Sequence, residues 1–463
     1  MTVGKAVSNN RSSDKVSEND GFGAGVLELL RWFQVDDTAA DRYATGRLAD
    51  ARALDASLRA FSYLPSSLAK HSGPLSGIPV GIKDIIATAD MPTTNGSPVY
   101  EGRIPLTDAW IVERLRNLGA TIFGKTVSTE FAWRQPGPTV NPWNPNHTPG
   151  GSSSGSAAAV AAGLVPLALG TQTLGSIVRP AAFNGVVGFK PSFGAIPRTG
   201  VHPLSPSLDH VGFFARCVDD VAFALSMLSG SSDQDPHGRP VPNFHVDPAD
   251  GLPPFIKPRL AIVRFSKWSR AEPAQQKLFD AAIESLRASG ARVDEVELAE
   301  IDEANWSAIN TVLAAEGSVI FAELVEREPD RTSARLKDLV RTGKAYSAYD
   351  YLSAKALQKK LSAGLAKQMS GFDAILTLPA FGEAPEGLND TGDAEYCAPW
   401  TFFGVPALSL PIGFGAKGLP LGIQIVGAYH EDYRMLCIAK WIESVLNVDL
   451  GFPDRKILSK VQA

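Results

Sequence analysis

The spacing of hydrophobic residues along the chain predicts alternating helices and strands. Apolar positions three and four residues apart are typical of helices with one buried face. This spacing predicts helices at 26–33, 41–61, 108–119, 273–290 and 433–446, and a mostly helical stretch at 302–370. Short apolar runs bounded by Gly, Pro or Asp are typical of buried strands. Such runs predict strands within 75–88, 120–126, 259–265, 291–298, 371–379, 406–414 and 420–428.

This alternation predicts an α/β fold, in which one large, mixed and twisted β-sheet is covered by helices on both faces. Residues 229–258 are rich in Pro, Gly and Asp and predict a long surface connection. Because the alternation continues on both sides of this connection, we expect a single domain over 21–463. The polar residues 1–20 lack the apolar segment of a signal peptide and predict a disordered tail.

Composition and charge exclude several classes of function. The 463 residues are 44% hydrophobic and 20% charged, a composition that allows a large core. The net charge of −5 argues against a protein that binds nucleic acids or membrane surfaces. The longest apolar run, 157–169, is too short to cross a bilayer. The three cysteines and seven histidines lack metal-ligand spacing. We therefore expect a cytoplasmic protein that needs no metal or other cofactor.

The segment Gly119–Thr126, GATIFGKT, matches the P-loop pattern of nucleotide-binding proteins. A P-loop follows a strand and precedes a helix, so that its amides can hold phosphate. Here a predicted helix precedes Gly119, and the middle of the motif reads as a strand. The context therefore predicts a buried strand in place of a phosphate loop.

The segment Gly151–Gly155, GSSSG, matches the nucleophile elbow of the α/β-hydrolases. That elbow follows a buried strand, whereas NPWNPNHTPG precedes it here. The order Ser, Asp, His of such a triad can be assembled from Ser153, Asp209 and His430, but nothing in the sequence specifies those partners. The missing strand argues against this triad.

Lys83 is a candidate general base because its setting, GIPVGIKDIIAT, is unusually apolar. Burial disfavours the ammonium form of lysine, and a neutral amine can accept a proton. The alternative is an ion pair with Asp84 at the end of a strand. This segment alone leaves both interpretations open.

Several long motifs, taken together, resemble the amidase signature family of serine hydrolases. They are GIPVGIKD, GKTVSTEFA, the serine-rich run at 141–194, SLDHVGFFARCVDDVAFAL and FGVPALSLPIGF with GLPLGIQIVG. The resemblance covers most of the chain and implies a Ser–cis-Ser–Lys triad. Transferred position by position, Ser176 is the nucleophile, Ser152 the cis-serine and Lys83 the base. It also implies a catalytic core at about 70–225, a more variable helical region at about 230–395, and C-terminal strands and a helix at 396–463.

The resemblance also implies an oxyanion hole, and this chain departs from the family there. Its donors are the backbone amides of Thr173, Leu174, Gly175 and Ser176. The family more often has T-D-T-G-G-S where this chain has TQTLGS at 171–176. Leu174 puts a side chain on the loop and restricts its backbone, and Gln172 removes a charge.

The substrate is less closely specified by the sequence. Arg179, three residues after Ser176, is placed to bind a substrate carboxylate, or to bind backbone carbonyls in a purely structural role. Aromatic residues near the family motifs favour an aromatic or apolar substrate, although each is more often part of the core: Trp143, Trp400, Phe402 and Phe403. The acidic loop at 382–396 reads as a lid or as a surface loop.

Four functions follow as alternatives. The first is an amidohydrolase that cleaves small amides, and also carbamates (urethanes) and esters, through an acyl-enzyme. The second is the glutaminase component of a tRNA-dependent amidotransferase, against which Gln172 and Leu174 count. The others are a P-loop NTPase and a binding protein without activity. The partner expected is a small amide or carbamate, with neither nucleic acid nor membrane, and a homodimer is left open.

Overall fold

The computed structural model describes residues 21–36, 38–242, 244–253, 255 and 257–459. The predicted tail at 1–20 lies outside these residues. Within them the chain forms eleven strands. In chain order, β1 to β11 are Phe61–Tyr63, Pro79–Lys83, Thr121–Thr126, Leu167–Gln172, Val187–Lys190, His210–Ala215, Arg259–Ile262, Arg292–Glu295, Ala374–Thr377, Ala407–Phe414 and Pro420–Val426.

All eleven strands belong to one mixed sheet, in the order β1-β3-β2-β4-β6-β5-β10-β11-β9-β7-β8. Strand β2 pairs in parallel with β3 and β4, and β7 pairs in parallel with β8 and β9. The remaining pairs are antiparallel. The predicted α/β class and the single large mixed sheet are confirmed.

The α-helices of the described residues flank this sheet. In chain order, α1 to α13 are Val26–Val35, Ala39–Leu58, Trp110–Asn117, Ser154–Ala161, Val178–Asn184, Val218–Leu228, Pro273–Ala288, Ala299–Arg327, Ala334–Ala345, Ala348–Met369, Ala398–Phe402, Asp432–Leu446 and Arg455–Ser459. Each predicted helix is present, with ends that differ by a few residues.

The middle of the sheet is buried on both faces. On β4, Leu167 and Leu169 belong to the larger hydrophobic cluster, whereas Ala168 between them belongs to a second cluster. On the neighbouring β6, Phe213 and Phe214 are divided in the same way. Because successive side chains of a strand point to opposite faces, both faces carry a core.

The segment that matches a P-loop is a strand. Its amides lie in the ladder of β3, which pairs with β1 and β2. The Lys125 ammonium is buried and donates to Thr93 Oγ1 at 2.7 Å and Thr88 Oγ1 at 3.2 Å. The expected buried strand is confirmed, and a phosphate loop is excluded at this segment.

The segment that matches a nucleophile elbow begins a helix. Ser153 is fully buried, and its hydroxyl donates to the Thr171 carbonyl at 3.2 Å and accepts the Thr171 amide at 3.3 Å. The residues directly before it, 141–152, form no strand, and α4 follows at once. Ser153 therefore joins α4 to β4.

The described residues of the predicted connection at 229–258 form neither helix nor named strand. The long helix α8 follows later in the chain. Its stretch Trp306–Arg327 is long and apolar enough to cross a membrane, by length and composition alone. Within this structure 56% of its most apolar window is buried, and Trp306 and Leu313 line a cavity, as in a core helix.

Candidate active site

Lys83 lies at the carboxyl end of β2, in the interior of the protein. Its side chain is 0% exposed. The Nζ atom donates to Ser152 Oγ at 2.6 Å and to Thr171 Oγ1 at 2.7 Å, and lies 3.4 Å from the Thr171 carbonyl. Because β2 and β4 are parallel neighbours, their ends bring Lys83 and Thr171 together. The lysine is thus directed at Ser152.

Burial governs the charge of this lysine. It lowers the pKa of Lys83 well below the usual lysine value, against an opposing effect of the Asp209 carboxylate. The expected alternative, an ion pair with Asp84, does not form: Asp84 accepts the Thr94 amide at 3.1 Å and the Thr94 hydroxyl at 2.5 Å. Among the described residues, no carboxylate lies within 4.0 Å of Nζ. The site therefore favours a neutral amine.

Hydrogen bonds fix the backbone at Ser152 and at the residue before it. The Gly151–Ser152 peptide bond is cis. The Gly151 carbonyl accepts from Arg179 Nη2 at 2.6 Å, and the Ser152 carbonyl accepts the Thr129 amide at 3.1 Å. A Cβ atom on Gly151 would lie 2.8 Å from Thr391 Cγ2, so this position has room only for glycine. The backbone thereby fixes where the Ser152 hydroxyl lies.

Ser176 lies between β4 and α5, on the same cavity as Ser152. Both serines line a cavity of about 470 Å³ with Thr173 and Leu174. The Ser176 side chain is 8% exposed, and among the described residues its hydroxyl has no hydrogen-bond partner. The structure thus brings together the lysine and the two serines expected from the sequence, with Ser152 in contact with Lys83 and Ser176 at the cavity.

The loop at 173–176 offers free backbone donors. In the described part of the chain, its four amides donate no hydrogen bond. Neither Leu174 nor Gly175 has a positive φ, so the side chain of Leu174 is compatible with this loop. A Cβ on Gly175 would lie 2.9 Å from Cys397 Cβ, so close packing explains this glycine. Free amides beside a serine hydroxyl can stabilise an anionic oxygen.

The roles of two polar residues at the site, Thr171 and Asp209, were not identified from the sequence. Thr171 accepts a hydrogen bond from Lys83, as described above. The Asp209 carboxylate accepts from Thr173 Oγ1 at 2.6 Å and from the amides of Leu204 and Ser205 at 2.9 and 3.0 Å. Burial raises the pKa of Asp209 to about 6. Neither role follows from sequence motifs, because each depends on contacts between distant segments.

Arg179 is buried beside the cavity, and its shortest hydrogen bond goes to a backbone carbonyl. Besides the Gly151 carbonyl, its Nη2 lies 3.2 Å from Thr391 Oγ1. Its Nε has no partner among the described residues, and the side chain lines the cavity. The structural interpretation of Arg179 is therefore supported directly by these contacts.

The four aromatic residues expected at the substrate lie elsewhere. Trp143 packs on Phe414, Trp400 is 0% exposed, and Phe402 and Phe403 border a separate groove. None of these four side chains lines the cavity that Ser176 borders. The aromatic side chains of the cavity are Trp133 and Trp306, which the sequence did not single out.

The acidic segment 382–396 forms one wall of the cavity, with residues 390–395 lining it. Salt bridges hold this wall: Arg270 to Asp393 at 3.0 Å, and Arg270 and Lys267 to Glu395 at 2.8 and 2.7 Å. Arg335 donates to the Asn389 carbonyl at 2.6 Å. The segment is thus tied to its surroundings at several points.

Comparison with known proteins agrees with this fold and geometry. A family model described as Amidase matches residues 43–436. The chain belongs to this family, the amidase signature family that its motifs resemble. It is 34% identical over 416 residues to a glutamyl-tRNA(Gln) amidotransferase subunit from Lysinibacillus sphaericus, covering 81% of this chain and 84% of the relative.

Solved structures of the same family share the fold. A glutamyl-tRNA(Gln) amidotransferase subunit from Thermotoga maritima has a TM-score of 0.79 at 28% identity, covering 91% of this chain and 95% of that one. A peptide amidase in complex with the competitive inhibitor chymostatin has a TM-score of 0.75 at 29% identity, covering 91% and 97%. The fold thus serves relatives with different named functions.

Proposed function

We propose that this protein is an amidohydrolase that cleaves the C–N bond of small amides through an acyl-enzyme. The observation that carries the proposal is the buried Lys83 amine, 2.6 Å from the Ser152 hydroxyl at the floor of the cavity that Ser176 borders. A lysine whose pKa is lowered by burial is a competent general base at neutral pH.

In the proposed reaction, Ser176 Oγ attacks the substrate carbonyl carbon. Its proton passes to Ser152 Oγ, and the Ser152 proton passes to Lys83 Nζ. When the tetrahedral intermediate collapses, the C–N bond breaks and the proton returns through Ser152 to the leaving amine. Water then attacks the acyl-enzyme by the same proton route and releases the acid. No cofactor is required for these steps.

The backbone amides of 173–176 are the proposed oxyanion donors. Each donor of this kind contributes roughly 3–4 kcal/mol to lowering the barrier. Support comes from their lack of other partners within the described residues and from their position next to Ser176. The negative φ of Leu174 is compatible with this role.

The cavity lining is mixed, and its apolar part suits an apolar or aromatic group of the substrate. Leu174, Leu204 and Leu313 supply apolar walls, and Trp133 and Trp306 supply aromatic ones. Carbamates and esters present the same carbonyl to Ser176 and are proposed as further substrates. A small carboxylated amide bound by Arg179 is the alternative within this class, and it rests on the partner-free Nε atom.

A second candidate function is that of the glutaminase component of a tRNA-dependent amidotransferase. It is favoured by relatives named as glutamyl-tRNA(Gln) amidotransferase subunits that match most of the chain. Co-purification with the other components of such an assembly, and glutamine-dependent activity in their presence, would support it. Activity of the isolated chain on an aryl amide would favour the independent hydrolase.

The experiment for the main proposal is a hydrolysis screen over primary amides, anilides and aryl carbamates, each with and without a carboxylate. On the best substrate, Ser176→Ala and Lys83→Ala should each nearly abolish turnover while the protein stays folded. Ser409→Ala, which alters a fully buried serine in β10, is the matched control and should retain activity. Unchanged turnover in either of the first two variants would rule out the triad.

The proposal also covers the location, the solubility and the domain organisation of the protein. We propose a cytoplasmic, water-soluble enzyme in which 21–463 forms one unit. The shared sheet supports the single unit, because β7 to β11 come after the connection at 229–258 and pair into the same sheet as β1 to β6. A homodimer is the alternative to a monomer, and size-exclusion chromatography with light scattering distinguishes the two.

A further inference from the structure

Gln172 spans the loop that carries the free amides. It is the last residue of β4 and is 0% exposed. Its Oε1 accepts the backbone amides of Ile177 at 2.8 Å and Val178 at 3.0 Å, at the start of α5. One side chain thus links the residue before the loop to the residues directly after it. The loop at 173–176 is closed at its base by these two bonds.

The other end of the Gln172 carboxamide holds a threonine from a distant part of the chain. Its Nε2 donates to Thr401 Oγ1 at 2.9 Å, and Thr401 Oγ1 donates to the Leu174 carbonyl at 2.9 Å. A threonine hydroxyl has one proton, which goes to Leu174 here, so its oxygen must accept the second bond. Only a donor at position 172 completes this chain of hydrogen bonds.

We propose that Gln172 and Thr401 are positioning residues that orient the Gly175 amide as an oxyanion donor. In a trans peptide unit, the carbonyl and the following N–H point in opposite directions. The Leu174–Gly175 bond is trans, since Gly151–Ser152 is the cis bond of the described residues. Fixing the Leu174 carbonyl on Thr401 therefore fixes the Gly175 N–H on the opposite side.

The location of Thr401 shows in which direction the Gly175 N–H points. Thr401 is 1% exposed and does not line the cavity that Leu174 and Ser176 line. The carbonyl turned to Thr401 thus points away from the cavity, and the Gly175 N–H is directed back toward the Ser176 side. This inference rests on the proposed function, because it assigns a role in the same oxyanion site.

A substitution at position 172 can separate the positioning of the loop from simple capping of helix α5. A carboxylate there would still accept the amides of Ile177 and Val178, but it cannot donate to Thr401. The Thr401 proton would turn to the carboxylate, and the Leu174 carbonyl would lose its partner. Gln172→Glu therefore retains the cap and removes the link to the loop, with almost no change of shape.

The test compares kinetic constants of four single variants, and of the double variant Gln172→Glu with Thr401→Val, on the best amide substrate. Gln172→Glu and Thr401→Val each remove the link, and Thr401→Ser retains the hydroxyl. Gln275→Glu is the matched control, because Gln275 is a buried glutamine whose Nε2 donates to a carbonyl in β11, at Gly422. Thermal unfolding of each variant identifies those that remain folded, and Thr401→Val, which introduces no charge, serves if Gln172→Glu unfolds.

We expect kcat to fall about tenfold to a hundredfold in Gln172→Glu and in Thr401→Val, with KM nearly unchanged, because a displaced oxyanion donor weakens the transition state more than the bound substrate. The double variant should be no slower than the slower single variant, since both remove one link. Thr401→Ser and Gln275→Glu should stay within about threefold of the parent.

Unchanged kcat in folded Gln172→Glu or Thr401→Val, in a protein whose hydrolysis requires Ser176, would overturn this inference and leave the proposed function intact. Additive losses in the double variant would also overturn it. If Ser176→Ala hydrolyses the substrate as fast as the parent, the proposed function fails, and the positioning role fails with it. The Ser176→Ala measurement therefore separates the two failures.

Discussion

Thr173 donates a 2.6 Å hydrogen bond to Asp209, and the same carboxylate raises the pKa of Lys83 against the effect of burial. Asp209 therefore acts on both halves of the proposed site, the loop at 173–176 and the base. Its own position is fixed by the amides of Leu204 and Ser205. This relationship leads to a prediction about pH.

Asp209→Asn should move the acid limb of the kcat/KM profile to lower pH. The proposed base works as a neutral amine, so activity falls as the pH drops through the pKa of Lys83. Above its own pKa of about 6, the Asp209 carboxylate is ionised and raises the pKa of Lys83, and a neutral side chain removes this effect. The limb is measured with one substrate over a range of pH in both proteins. A shift to higher pH, or no shift, would contradict the electrostatic coupling.

Thr171→Val should lower kcat/KM by about tenfold. This factor corresponds to the loss of one hydrogen bond that contributes about 1.4 kcal/mol. The valine keeps the shape of the side chain but removes the Oγ1 atom that accepts from Lys83 at 2.7 Å. The amine is then less well directed at Ser152. Thr377→Val is the control, because Thr377 is a buried strand residue that donates to the Val263 carbonyl. Equal activity in the Thr171 and Thr377 variants would refute the orienting role.

Arg179→Met should reduce kcat/KM equally for carboxylated and uncharged amides, by at least about tenfold. The guanidinium holds the Gly151 carbonyl at 2.6 Å, next to Ser152, so its loss disturbs the site whatever the substrate. The measurement is the ratio of the two losses for a matched pair of substrates. A loss confined to the carboxylated member would instead identify Arg179 as a carboxylate clamp.

Leu174→Gly should raise the preference for bulky over small acyl groups by about tenfold or more, because removal of a buried side chain opens the cavity. Leu174 is 8% exposed and lines the cavity beside Ser176. Leu313→Ala enlarges the same cavity from α8 without touching the loop and is the matched control. The ratio of kcat/KM for two acyl sizes gives the answer, and an unchanged ratio in both variants would place the acyl group elsewhere.

Much of the fold was accessible from sequence because its signals are local. The apolar runs at 75–88 and 371–379 contain β2 and β9, and short runs of this kind are typical of strands buried on both faces. The P-loop match was correctly interpreted as a strand, since a helix precedes Gly119. The same local reasoning placed Lys83 in an apolar setting, where the structure finds it fully buried.

The rest depends on contacts that no local pattern encodes. Thr401 lies 229 positions from Gln172, yet the two side chains are 2.9 Å apart. Trp306 reaches the cavity from a helix whose sequence carries no motif of the site. Conversely, Trp400 stands beside family motifs but packs 5.7 Å from Phe265, ring centre to ring centre, within the core. Aromatic composition alone does not distinguish a lining residue from a core residue.

The strand order has a consequence for the moment at which the protein becomes active. Strand β10 lies between β5 and β11 in the interior of the sheet, although it is among the last parts of the chain to be synthesised. Lys83, Ser152 and Ser176 leave the ribosome long before Thr401 does. A growing chain therefore contains its reactive groups without the threonine that orients the loop. We expect hydrolysis to begin only after the C-terminal strands have inserted into the sheet.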